Sequence, residues 1–453
     1  MSYTLHNDQP TLEDKLAREE LVKQIAEVAA SCSPPQVLAV HGDWGAGKTS
    51  VLEQVQHRLT GDNRRNEKAS LAKGVTYGHV ITIWFDAWRY QNEAVPVVAL
   101  LQEMRRQLGT HLKLIAKTRK LTEVTVRSIL SGLDNMAKLI KIEAAPFSSE
   151  KIQAAGEKWE KEHLEDRLAS DSIQDFLTDT IKALLPSSKG GSPSPRLIII
   201  IDDIDRCSPD AAHRFLEGLK NYLILPNCVF LLGMNQQVVT EAIGKIIGKN
   251  GNEGDVRLRA EAYLEKMCSN IWRLPFIKNP TNILKEWLSV STKDVGDSII
   301  AEEAKLSISF LPPNPRRLKS LANLINRICE KLGAVTVADS ETHLKILVVA
   351  YIYQFNSELF QRWHYDPNFL SIISGWVNTD SFDKDKEFYF QGLLLPTKLK
   401  FTVQEAAPIM ECEGAYPDPT APGIFWIAPL LQKSLSHLTP TDYIDLLRFE
   451  DTP

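Results

Sequence analysis

Short apolar runs alternate with amphipathic stretches through much of the chain, and this alternation predicts a layered α/β fold with a parallel sheet. The strand signals are Val37–Val40, Val80–Trp88, Leu197–Ile201, Val229–Met234 and Ile271–Leu274. Leu197–Ile201 is apolar at every position, so both of its faces should be buried at the centre of the sheet. Helical spacing predicts a helix from Thr11 to about Ala30, with Thr11 as N-cap and Leu16, Leu21, Ile25 and Val28 on one face. Ser33-Pro34-Pro35 stops it before the first strand. Ser50–Leu59 and Gln236–Ile247 read as further helices. Residues 96–185 carry helical spacing with dense charge, then a Pro/Gly/Ser-rich linker at Pro186–Pro195. From Thr281 to about Ile352 the pattern stays helical, and the remainder mixes apolar helices with Pro- and Gly-rich loops.

The segment between the first strand and its helix carries the chemistry. Gly42-Asp43-Trp44-Gly45-Ala46-Gly47-Lys48-Thr49-Ser50 matches G-x-x-x-x-G-K-[ST], a loop whose backbone N–H groups cradle phosphates. The strand before it and the helix after it are the context this motif requires. Lys48 would reach the β/γ-phosphates and the Thr49 hydroxyl would ligate Mg²⁺. The third strand ends in Asp202-Asp203-Ile204-Asp205-Arg206. Asp202 is the candidate metal carboxylate, and Asp203 could polarise an attacking water. Asp203 and Asp205 could equally cap the following helix. Asn235 at the fourth strand's tip would sit between the two motifs, where it could hold that water or cap its own helix. A cation from outside the loop is also expected, with Arg257, Arg259, Lys266, Arg316 and Arg317 as candidates.

Bulk properties narrow the partners. The 453 residues carry a formal net charge of −5, which gives no overall attraction to nucleic acid or anionic membrane. Nucleic acid stays open as a partner that net charge does not support. The basic run Arg58, Arg64, Arg65, Lys68 and Lys73 reads as a solvated face. Six cysteines lack ligand or framework spacing, so free thiols in a reducing cytoplasm are expected. The polar N-terminus and the lack of long apolar stretches predict neither a signal peptide nor a membrane span.

Together these motifs resemble the KAP family of P-loop NTPases, related to the STAND and AAA+ groups, over roughly Asp8 to Leu332. The phosphate loop with its tryptophan is similar, as is Trp84-Phe85-Asp86-Ala87-Trp88-Arg89-Tyr90, where Asp86 replaces a commoner Asn. Asp202-Asp203-Ile204-Asp205-Arg206-Cys207, Tyr263-Leu264-Glu265-Lys266 and Asn314-Pro315-Arg316-Arg317-Leu318-Lys319 follow in the family's order. The resemblance implies a sensor-like arginine, Arg317, on helices that lid the site. At Asn235 the family more often carries an acid. It also implies ATP and Mg²⁺ as ligands, hydrolysis coupled to assembly or to a co-encoded protein partner, a homo-oligomer, and a role in phage defence for some bacterial members.

The expected fold class is α/β: a P-loop NTPase core with a five-stranded parallel sheet, a large helical insertion, a helical lid and a mostly α C-terminal domain. The expected domains are residues 1–95 and 197–278 as two parts of the core, 96–196 as insertion and linker, 279–338 as lid, and 339–453 as an interaction domain. The expected function is a Mg-dependent ATPase, with an ATP-binding scaffold or a DNA-stimulated ATPase as alternatives. A small-molecule kinase ranks last, because such kinases are usually more compact.

Overall fold

The computed structural model describes residues 6–61, 77, 79–93, 96, 98–107, 196–222, 227–247, 253–306, 311–332, 339–355, 360, 361, 363, 365 and 430. The linker Pro186–Pro195, most of the expected insertion, the basic residues 64, 65, 68 and 73, Cys412, and the tail aromatics Phe388, Tyr389, Phe390 and Trp426 lie outside them. The chain divides into two compact units, Pro10–Leu274 and Met1–Gln9 with Pro275–Pro453.

In the first unit, β1 (Gln36–His41), β2 (Val80–Asp86), β3 (Arg196–Asp202), β4 (Cys228–Met234) and β5 (Asn270–Arg273) form one sheet in the order β2-β3-β4-β1-β5. Every described pairing is parallel. All seven residues of β3 and of β4 are buried, as apolar runs on both faces demand. Alternate residues feed two separate cores. Val40, Ile198, Ile200, Val229 and Leu231 pack under α1 (Glu19–Ser31) and α2 (Lys48–Thr60). Ile199, Ile201, Phe230 and Leu232 pack under α3 (Pro209–Tyr222), α4 (Gln236–Ile247) and α5 (Glu253–Met267). Each fully buried Leu, Ile or Phe contributes about 1.5–3 kcal/mol. The outcome is a three-layer sandwich whose strand tips converge at one edge.

Topology makes the site. β4 lies between β1 and β3, and the register sets Ile201 beside Leu232 and His41 beside Met234. The tip of β3 with its acids and the tip of β1 with its glycine loop therefore flank the tip of β4. At the other edge, β2 is covered by a side chain. Gln107, on the helical stretch 98–107, accepts from Trp84 N–H at 2.9 Å and donates to Trp84 C=O at 2.6 Å. This amide takes up backbone groups that would otherwise be an open sheet edge.

Several boundaries differ from expectation. The first helix begins at Glu19, because the Asp14 carboxylate accepts the N–H groups of Leu16, Arg18 and Glu19 and competes with helix formation ahead of it. Thr11 makes a local turn instead, accepting Glu13 N–H at 3.1 Å. β2 ends at Asp86, and Ala87–Tyr90 is a 3-10 turn rather than more strand. β5 starts one residue earlier than expected, at Asn270.

The second unit packs α6 (Pro280–Trp287), α7 (Lys293–Leu306), α8 (Pro315–Leu332) and α9 (Ser340–Phe355) on a core that includes Leu284, Ile299, Leu321, Ile325 and Leu347. Buried Asn326 organises the α6–α7 link. It accepts from Ser289 N–H and the Thr292 hydroxyl, and donates to the Trp287 carbonyl. Among the described residues no helix is long and apolar enough to cross a membrane. Cys32, Cys207, Cys228, Cys268 and Cys329 are free thiols.

Candidate nucleotide site

The loop from Gly42 to Gly47 leaves β1 and delivers Lys48 as the first residue of α2. Gly45 and Gly47 sit at φ of 82° and 93°, left-handed conformations that a Cβ would strain. Gly47 offers no side-chain cap to α2, so the helix's first N–H groups are arranged for an anion. Ser50 is turned elsewhere: its hydroxyl accepts Thr11 N–H at 3.2 Å.

Lys48 is buried, and its Nζ donates to Gly42 O at 2.7 Å and Asp43 O at 3.3 Å. It also pairs with Asp205 Oδ2 at 3.2 Å. The same oxygen accepts the indole N–H of Trp44 at 2.9 Å. One residue on, Thr49 Oγ1 donates to Asp202 Oδ2 at 2.6 Å. Asp202 is wholly buried, and its Oδ1 has no hydrogen-bond partner among the described residues. Burial, reinforced by Asp203's charge, pushes the Asp202 carboxyl up to about 7, against the pull of the Thr49 bond. A hydroxyl joined to a buried carboxylate with an oxygen to spare is a hard-oxygen donor set. It fits Mg²⁺, which takes one or two protein oxygens and keeps its remaining waters.

The neighbouring acids differ in their surroundings. Asp203 is left-handed at φ 61° and its Oδ1 meets Arg206 Nε at 2.9 Å. Burial raises its carboxyl above the usual range while Arg206 opposes the shift. Asn235 does two things at once. Its Oδ1 accepts from Gln237 N–H at 3.0 Å and Val238 N–H at 3.4 Å, capping α4, and its Nδ2 donates to Asp43 Oδ1 at 3.2 Å. Arg317 belongs to the other unit, in the first turn of α8, where its backbone N–H donates to Asn314 Oδ1.

The first unit thus brings together Gly42, Asp43, Trp44, Gly45, Ala46, Gly47, Lys48, Thr49, Asp202, Asp203 and Asn235. It adds groups that sequence reasoning did not assign. Arg18 is buried and its Nη1 donates to the carbonyl of loop residue Ala46 at 2.6 Å. Burial lowers its guanidinium to about 10, with Asp14 opposing. No local pattern marks this contact, since the partners lie 28 residues apart. His41, the last residue of β1, uses Nδ1 to accept Gln236 N–H at 2.9 Å.

His41 makes stability depend on pH. Burial first, then the charges of Arg273 and Lys48, lower it from 6.5 to about 4. The folded chain therefore binds fewer protons than the unfolded chain between those values. The contribution is complete above pH 6.5 and is lost as pH falls towards 4, amounting to about 1–2 kcal/mol after allowance for solvent screening. His41→Asn keeps an acceptor for Gln236. Its melting temperature should fall less than the parent's from pH 7 to pH 4.5; parallel profiles would refute this role.

The family model for the KAP family P-loop domain matches residues 16–332. No curated protein matches the chain. Among solved structures, the ORC2 protein of Aeropyrum pernix in its ADPNP–ADP complexes aligns over 98% of each chain at 12% identity, with a TM-score of 0.36. With a glycine loop and an acidic strand end facing one another across β4, and a family match spanning most of its length, the chain belongs to the KAP family of P-loop NTPases.

Proposed function

We propose that the protein binds ATP with Mg²⁺ and hydrolyses it, coupling the cycle to assembly or conformational change. The observation that carries this reading is the 2.6 Å bond from Thr49 to Asp202, whose second oxygen is buried without a partner among the described residues, beside the loop that bears Lys48. Backbone N–H groups of the loop and of α2's first turn would hold the phosphates, and Lys48 would add its charge at the β/γ position. Bound Mg²⁺ would supply neutralising charge at the transferring phosphoryl group. Thr49 and Asp202 would hold that ion.

Asp203 would accept a proton from the attacking water, its carboxylate oriented by Arg206. Asn235 would keep Asp43 in place while capping α4. The outside cation would be Arg317, the sensor-like arginine that the family resemblance implies. The chain would act in the cytoplasm, as a homo-oligomer with a co-encoded protein partner. Phage defence is the process the family resemblance favours. The ion pair that ties Asp203 to Arg206 also supports a second reading, an ATP-binding scaffold with negligible turnover.

Calorimetry with ATP–Mg²⁺, run beside a phosphate-release assay, tests both. The ATPase reading expects heat of binding and steady release. Asp203→Asn should retain binding and lose about a hundredfold in rate, the lower end of general-base effects. Binding without release in the parent would replace the ATPase with the scaffold. No binding at all would overturn both.

A further inference from the structure

We propose that Asp205 is a latch on the phosphate loop: it holds Lys48 and has to release it when phosphates arrive. The inference rests on the nucleotide-binding reading and adds a regulatory residue to that site. An ammonium has three N–H donors, and the Lys48 partners are the carbonyls of Gly42 and Asp43 and the Asp205 carboxylate. The two carbonyls belong to the loop itself. Asp205 stands on a separate element, the 3-10 turn Ile204–Arg206 that follows β3. A phosphate that engages Lys48 therefore competes with a carboxylate fixed to the sheet.

Three features make this contact more than a surface ion pair. Asp205 is 4% exposed, so its charge depends on nearby compensation rather than on water. Its Oδ1 is buried without a partner among the described residues, leaving Oδ2 to carry both described bonds. The second of these reaches the indole N–H of Trp44, in the same loop, although that residue is 56% exposed. One carboxylate oxygen thus pins two points of the loop. Its negative charge also faces the place where phosphates would bind. Competition for Lys48 and repulsion of the anion act in the same direction, so Asp205 should weaken nucleotide affinity. A purely structural Asp205 would act in the opposite sense, because losing a support of the loop would loosen binding.

Asp205→Asn separates these cases in the full-length protein, since the amide oxygen can still accept the Trp44 indole while the charge is gone. ATP–Mg²⁺ affinity by calorimetry should tighten at least about fivefold, the lower end of typical coupling between linked sites. In the nucleotide-free protein, Lys48 should also be acylated faster by a small amine-reactive reagent, followed by mass spectrometry. Asp205→Ser serves if the first variant does not fold, and should move both readouts the same way. Unchanged or weaker affinity in a variant that melts normally overturns the latch. So does unchanged labelling of Lys48, whatever ATP does. Failure of the parent itself to bind ATP would instead sink the function proposed above, and the labelling rate would still decide whether Asp205 restrains Lys48.

Discussion

Replacing Lys48 by alanine should cut phosphate release at saturating ATP by about a thousandfold, the upper range for losing one preorganised donor to developing charge. The residue is buried at the start of α2, with its ammonium already drawn into the loop by Gly42 and Asp43. Removing it takes away a charge that water cannot readily replace in a site closed by sheet and helix. Asp202→Ala should be comparably damaging for a different reason. It removes the acceptor of the Thr49 hydroxyl and the carboxylate that would serve the metal. The two variants should separate in binding. Asp202→Ala should hold ATP nearly as well as the parent in EDTA and fall behind when Mg²⁺ is added, whereas Lys48→Ala should bind poorly in both. A folded, purified Lys48→Ala protein that keeps even a tenth of the parent's release rate would end the case for a P-loop mechanism.

What could be read from sequence were continuous strings: the glycine loop, the apolar β3 with its acidic end, and the strand–helix alternation around them. Each is a local pattern whose physics acts over a few residues. The place of the fourth strand's tip between the two motifs was legible, and β4 does lie between β1 and β3; the outer positions of β2 and β5 were not, because they rest on pairings that no local pattern announces. The start of α1 was missed for a local reason that periodicity does not weigh, since Asp14 takes backbone N–H groups a turn ahead of the helix. The Trp44–Asp205 bond joins residues 161 apart, so nothing near either residue announces it. Asn235 shows a different limit. Capping and holding the attacking water were posed as alternatives; the amide oxygen caps α4, and the amide nitrogen meets Asp43, a contact that neither alternative named.

Gly233 is the clearest case of a site residue hidden inside a strand, and Gly233→Ala should destabilise the protein by about 2–3 kcal/mol, at the upper end of overpacking costs. It lies in β4, paired with Val40 of β1 and flanked on the other side by β3. A Cβ there would stand 2.5 Å from Leu52 Cδ1 and 2.6 Å from Asp202 Oδ1. Neither neighbour gives way cheaply: Leu52 is fully buried in α2, and Asp202 is anchored to Thr49. Glycine in a strand interior normally weakens it, so a glycine kept against that tendency marks a close approach. Here the approach is that of the candidate metal carboxylate. The substitution should therefore lower the melting temperature and phosphate release together, because displacing Asp202 disturbs the carboxylate that would serve the metal and its bond to Thr49. Leu52→Val in the Gly233→Ala background should recover part of the stability by relieving one clash, and little of the activity, since the other remains. A Gly233→Ala protein melting within about 1 °C of the parent, against the several degrees that such a loss implies, would show that the sheet yields freely at this point. The tight packing of Gly233 against Asp202 would then have no energetic consequence.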